Sequence, residues 1–277
     1  MTEYDIGLAR RMHVVQDGPR EGPALLLIHG SGAAGPCWEA MVPTLAHRHR
    51  VIRVDLPGCG KSPAATSYAV RDQANRVAAV LDDLGLGPAA VAGHSSGGYV
   101  ATALAEQRPD LVGSLTLINS GPSMDAELPP PLALRVLLGP PFGRLIWAIR
   151  SDSWIRKGLN ATAAHPVQIP DELVAGVAGT SYRTMRAVLR CNGAYLTERT
   201  LPERLSVLDV PVLAIFGDSD RKWNPAFSIQ QYRAVPRARV EVLPDVGHVP
   251  ILEAPEITSK LLLGFIAAPA DVEEAER

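Results

Sequence analysis

The sequence predicts the α/β class, a doubly wound, mostly parallel sheet carrying an inserted helical lid. Three observations lead there: short apolar runs bounded by turn residues recur along the chain, stretches of helical period alternate with them, and the alternation is suspended between Gly121 and Leu208. The runs are apolar throughout, with no apolar/polar alternation, which marks strands covered on both faces.

The elements follow in order. Residues 24–29 form the first run and lead into Gly30-Ser31-Gly32-Ala33-Ala34-Gly35; residues 51–55 form the second and end at the turn Leu56-Pro57-Gly58. Val70, Ala74, Val77, Leu81 and Leu84 recur at three- and four-residue steps and predict a helix that stops at Gly85. The run 89–93 meets a helix over 96–107 that ends before Pro109, and 114–119 forms a fourth run. Then come Pro129-Pro130-Pro131, Pro140-Pro141 and helical stretches including 172–178 and 182–196, with no convincing strand; the sheet resumes at 210–216 and 239–243. The expected division is a core domain over 1–120, a helical lid over 121–208, the rest of the core over 209–268 and a flexible, acidic tail over 269–277. An insertion at the carboxyl edge of such a sheet overlies the ligand crevice.

Composition narrows the function. A chain of 277 residues with 47% hydrophobic content can bury a large core in a single elaborated domain. The net charge of -2 comes with no basic run, so neither nucleic acid nor an anionic membrane has an electrostatic reason to attract the chain. No apolar run approaches the ~20 residues of a membrane span, and the polar start Met1-Thr2-Glu3-Tyr4-Asp5 lacks a signal pattern, so a cytoplasmic protein is expected. Cys37, Cys59 and Cys191 form no CxxC pair, which suits buried free thiols in a reducing compartment and gives no metal site. The expected partner is a small molecule; a homodimer is compatible with the sequence.

Chemistry concentrates where runs end. Gly93-His94-Ser95-Ser96-Gly97 fits G-x-S-x-G between a strand and a helix, where a strained turn pushes the Ser95 hydroxyl into the crevice and the glycines avoid collision with neighbouring elements. The plainer reading of Ser95 is a helix cap. A serine hydroxyl needs a base, and the base a carboxylate. Asp218 and Asp220 follow the run 210–216, and His248 follows the last run before a C-terminal helix. Either aspartate could instead serve the turn. The order Ser, Asp, His places all three types at carboxyl ends of strands of one sheet.

A second pattern competes. Gly30 to Gly35 matches the G-x-G-x-x-G of dinucleotide-binding turns, with Asp55 about 20 residues beyond, which would suit an NAD(P)-dependent oxidoreductase. Against it, Pro36 stands where a phosphate-binding helix should be running, His29 has no role in that fingerprint, and Asp55 leads into a tight turn that can use its carboxylate. Gly60-Lys61-Ser62 looks like a P-loop ending, but the pattern needs glycine at position 55.

Together "LLLIHGSG", "VDLPGCGKS", "GHSSGG", "FGDSD" and "GHVPILEAPE" resemble the α/β-hydrolase superfamily from about Ala24 to Ile266, in its serine-nucleophile branch with a helical lid. The resemblance implies Ser95 as nucleophile, Asp220 (the aspartate closing G-x-x-D) as the acid, and His248 as the base. It implies an oxyanion hole of the Ser31 and Ser96 amides and no metal or organic cofactor. Epoxide hydrolases and haloalkane dehalogenases of the superfamily use an aspartate nucleophile, and the C–C bond hydrolases carry Trp after the catalytic His where this chain has Val249. The expected activity is therefore hydrolysis of an ester, thioester or lactone of a small to medium apolar substrate through an acyl-enzyme. C–C bond hydrolysis and cofactor-free haloperoxidase-like chemistry on the same triad remain alternatives. Gly32, His94, Trp154, Trp223 and Val249 are the candidate substrate-binding residues, and "LALRVLLGPPFGRLIWAIR" is the candidate apolar lining of the lid.

Overall fold

The computed structural model of the chain describes residues 2–5, 12–139 and 141–267, so the tail expected over 269–277 lies outside the described residues. Its strands are β1 (Thr2–Asp5), β2 (His13–Asp17), β3 (Ala24–Ile28), β4 (Arg50–Val54), β5 (Ala89–His94), β6 (Val112–Ile118), β7 (Val212–Gly217) and β8 (Ala238–Leu243). They form one sheet in the order β1-β2-β4-β3-β5-β6-β7-β8. From β4 to β8 every neighbouring pair is parallel; β1 and β2 add an antiparallel edge. The six apolar runs coincide with β3 to β8, shifted by one or two residues at their ends. β1 and β2 have no counterpart in the sequence reading, because β2 buries only Val14 and so has no apolar run to announce it.

Two helices between the strands carry the clearest periodicity. α1 (Val42–Leu45) is a single turn, whereas α2 (Val70–Asp83) buries Val70, Ala74, Val77 and Leu81 and stops where Gly85 adopts φ +62°. α3 (Gly97–Gln107) follows β5 and is buried along most of its length. Apolar clusters cover both faces of the sheet: Leu26, Ile28, Leu117 and Phe216 pack with α2 and α3, while Leu25, Leu27, Ile118 and Ile215 pack with Trp38 and Leu262. Each such aliphatic side chain gains about 1.5–3 kcal/mol by leaving water.

Between β6 and β7 lies the helical insertion: α4 (Leu132–Leu138), α5 (Gly143–Ala148), α6 (Asp152–Asn160), α7 (Asp171–Gly179), α8 (Tyr182–Glu198) and α9 (Leu201–Leu205). A capping box of Thr200 and Glu203 starts α9, and buried Arg204 ties it to Glu106 of α3 at 3.0 Å. The core resumes with β7, then α10 (Pro225–Arg233), β8, α11 (Pro250–Glu253) and α12 (Pro255–Ile266). Among the described residues no helix is long and apolar enough to cross a membrane.

Candidate active site

Ser95 sits between β5 and α3 with φ +53°, a left-handed conformation that costs a non-glycine residue about 1–3 kcal/mol. The fold holds it there. The Ser95 amide donates to the Ile118 carbonyl (2.8 Å), and its carbonyl accepts from the Ser120 hydroxyl (2.7 Å) and the Gly98 amide (3.0 Å). A Cβ on Gly97 would lie 2.1 Å from the Ile28 carbonyl oxygen, and one on Gly93 would lie 2.4 Å from the Gly97 backbone, so the turn admits only glycine at both places.

The buried hydroxyl does not cap the helix. Ser95 Oγ lies 3.0 Å from His248 Nε2, and His248 Nδ1 lies 2.9 Å from Asp220 Oδ2. A carboxylate only accepts, so Nδ1 carries the proton and Nε2 is left to accept from the serine. Burial alone would raise the Asp220 carboxyl, but the charge and hydrogen bond of His248, with donors from Lys222 and Asn119, leave it below the usual carboxylate range. Asp218 is the turn former of the pair: its Oδ1 accepts from the Asp245 amide and the Ser219 hydroxyl.

On the other side of Ser95 stand two amides. Neither the Ser31 nor the Ser96 N–H has an intramolecular acceptor among the described residues, and the two hydroxyls of these serines lie 2.8 Å apart. His29 sets the direction of the first amide. The Leu56 amide donates to His29 Nε2 (2.9 Å), so Nδ1–H is the atom that donates to the Gly30 carbonyl (2.7 Å). Gly30 C=O and Ser31 N–H belong to one planar trans peptide and point opposite ways, so fixing the carbonyl aims the amide. Burial lowers the pKa of His29, which keeps it neutral in this role.

Two residues that the sequence reading did not single out complete the site. Asn119, at the carboxyl end of β6 with φ +45°, donates through Nδ2 to Asp220 Oδ2 (2.8 Å) and the Gly247 carbonyl (3.0 Å) and accepts from the Gly217 amide (3.1 Å). Its only sequence signal is an amide closing an apolar strand. Asn192 of α8 donates to the Ser31 hydroxyl (3.0 Å), placing a lid side chain beside the two serines. Its signal is a polar residue on the buried face that also holds Thr184, Val188 and Tyr195.

Of the five candidate substrate-binding residues, Gly32 lines the small cavity beside Ser96, between the 29–32 loop and α8. The other four are not among the residues that line this cavity. His94 donates through Nε2 to the His248 carbonyl (2.8 Å) and packs against that imidazole, so its ring braces the histidine turn. Trp223 is a core residue, 4% exposed, with its indole against Gly121 and its amide donating to Asp220 Oδ1. Trp154 stands 39% exposed on α6, because Ile155 is the residue which that helix buries. Val249 stands just before α11, where its amide donates to the Glu253 carboxylate. The candidate lining segment is also largely on the surface: Leu132, Phe142, Leu145 and Ile149 are all exposed.

The G-x-G-x-x-G reading finds no support in the geometry. β3 is followed by a single turn of 3₁₀ helix, and the Asp55 carboxylate accepts from the Gly35 amide of that turn (2.6 Å), the Lys61 amide (2.9 Å) and His13 of β2 (2.9 Å). Cys59 also lines the cavity, but burial pushes its thiol to about 11, so it stays protonated at neutral pH.

Residues 25–261 match the profile of the alpha/beta hydrolase family. The chain belongs to that family. This α/β-hydrolase is 31% identical over 251 residues to a pimeloyl-[acyl-carrier protein] methyl ester esterase of Aeromonas hydrophila subsp. hydrophila, covering 89% of the chain and 96% of the relative. It is 29% identical to a protein of the same name from Neisseria meningitidis serogroup A over 272 residues, 95% of the chain and 82% of the relative. The solved structure of the N-acyl homoserine lactonase AidH with N-butanoyl homoserine is similar in fold, with a TM-score of 0.79, 23% identity and 96% coverage of each chain. The chain is an α/β-hydrolase of the carboxylic ester hydrolase type.

Proposed function

We propose that this α/β-hydrolase cleaves a carboxylic ester of a small to medium apolar substrate through an acyl-enzyme on Ser95. The observation that carries the reading is the unbroken hydrogen-bond chain from Asp220 through His248 to Ser95 beside two unengaged amides. Ser95 Oγ attacks the carbonyl carbon while its proton passes to His248 Nε2, and Asp220 supports the imidazolium that forms. The negative oxygen of the tetrahedral intermediate accepts from the Ser31 and Ser96 amides, the second helped by the N-terminus of α3; losing one such donor raises a barrier by about 3–4 kcal/mol. His248 then gives the proton to the departing alkoxide. Water enters, loses a proton to His248, and attacks the acyl carbon; the acid leaves and Ser95 regains its hydrogen.

The two relatives are named for methyl ester hydrolysis, which favours a short alkoxy leaving group over a bulky one here. A thioester or lactone uses the same groups in the same order. The test is labelling by a fluorophosphonate probe together with turnover of nitrophenyl esters of graded acyl length. Wild-type protein is expected to label and to show a burst of one nitrophenol per site, whereas Ser95→Ala loses labelling and about four or more orders of magnitude in kcat/KM. Ester turnover retained by Ser95→Ala would refute the proposal.

A further inference from the structure

The lid presents an apolar surface to solvent. Leu132 (72% exposed), Val136 and Phe142, followed by Leu145 (66%) and Ile149 (71%), belong to α4, α5 and the turns around them. An isolated exposed leucine needs no account, but five large apolar side chains exposed within one short helical hairpin make it a candidate contact surface. Their polar neighbours are cationic. Between residues 132 and 190 the sequence has eight Lys/Arg against three Asp/Glu, in a chain whose net charge is -2.

The fold draws these charges together although they form no run in the sequence. Tyr182, at the start of α8, donates to the Leu138 carbonyl (2.8 Å) and its ring packs tilted against Trp147 of α5, so the α4–α5 hairpin is docked against the first turn of α8. Arg183, Arg186 and Arg190 follow at three- and four-residue steps and are exposed on the face of α8 opposite Thr184, Val188 and Asn192. Arg135 and Arg144 are exposed within the hairpin itself. None of these five guanidinium groups has a carboxylate partner among the described residues. By contrast Arg150 is spent on backbone carbonyls inside the lid, and Arg156 on the Ile169 carbonyl and the Asp171 carboxylate.

We propose that the α4–α5 hairpin and the outer face of α8 dock on the surface of an anionic lipid bilayer, without spanning it. Short amphipathic helices with exposed Leu, Phe and Ile beside unpaired arginines have the composition of segments that lie in the headgroup layer: the apolar side chains enter it and the guanidinium groups face lipid phosphates. The absence of a basic run argued against such an attraction from sequence; the charges become a patch only when α4, α5 and α8 meet. The same α8 turns Met185, Val188 and Asn192 toward the 29–32 loop, so the docked face and the cavity lie on opposite sides of one helix, about 10 Å apart. The proposal rests on the hydrolase reading only for its purpose, delivery of apolar esters, and not for the binding itself.

The test is co-sedimentation with vesicles of phosphatidylcholine alone or mixed with phosphatidylglycerol, at low and high salt. The whole protein is expected to pellet with the mixed vesicles, to stay in solution with phosphatidylcholine, and to be released by salt. Arg183→Gln and Arg186→Gln should each weaken binding roughly five-fold, and Leu145→Asp with Ile149→Asp should abolish it. These side chains are exposed, so each variant should keep fluorophosphonate labelling and turnover of a water-soluble ester. Failure of the wild type to pellet, equal binding to both vesicles, or unchanged binding by the variants would each overturn the proposal. So would a dimer in analytical ultracentrifugation that Leu145→Asp dissociates, or binding to an acidic carrier protein, without vesicle binding, that the same variants abolish. Loss of labelling in Ser95→Ala with vesicle binding intact separates the two proposals.

Discussion

Asn119 does three jobs with one buried amide. It holds the Asp220 carboxylate, the carbonyl before His248 and the last amide of β7, from a left-handed backbone position that asparagine tolerates better than most residues. Asn119→Ala removes one donor from Asp220 and takes this partner from the buried Gly217 amide and Gly247 carbonyl, which should destabilise the protein by about 1–3 kcal/mol in urea titration. It should also lower kcat by about an order of magnitude or more with little change in KM, because it frees the acid and not the substrate. Asn119→Asp would test the charge: a carboxylate cannot donate to Asp220, so rescue is not expected. Neither Asn119 nor Asn192 was legible beforehand, since each takes its meaning from a partner over a hundred positions away. Ser95, His248 and the 218–220 turn stood out because each closes an apolar run. Choosing Asp220 over Asp218 took a family resemblance, for the two differ only in which way the turn points them.

The strands β3 to β8 were legible because a strand buried on both faces is apolar at consecutive positions, and few other elements are. The edge strands β1 and β2 lack that mark, and the proline-rich start of the lid hides α4 and α5 because short helices there are set by tertiary contacts more than by periodicity. The most constrained junction is that of β3, β5 and α3. There the Gly97 position faces backbone, not a side chain that could swing away, so Gly97→Ala must displace either β3 or the helix. Thermal unfolding should show destabilisation of about 3 kcal/mol or more, with loss of fluorophosphonate labelling in whatever remains folded. Gly264→Ala, where a Cβ meets nothing within 4 Å, is the matched control and should behave like wild type.

For the molecule as a whole, acid is the informative stress. His94 is buried against His248, and burial with that neighbour lowers its pKa from 6.5 to about 3; burial lowers His29 in the same direction. Below 6.5 the unfolded chain takes up protons at both positions while the native protein does not, so stability falls as pH falls. The slope should approach 1.4 kcal/mol per pH unit for each histidine over the window from 6.5 down toward 3 for His94. Urea midpoints between pH 7 and pH 4 check this, and replacing His94 with Phe should reduce the slope by about one proton. The lowered pKa values of Asp55 and Asp220 add a loss of stability further down, as those carboxylates protonate.

One contact links the roof to the chemistry beneath it. The His248 amide donates to the Thr162 carbonyl at 2.9 Å, and the Glu253 carboxylate gathers the amides of Ala164, Gly247 and Val249 into the same knot. That corner cannot lift without tilting the imidazole away from the serine. A displacement of residues 162–164 is thereby passed straight to the backbone that carries the proton acceptor.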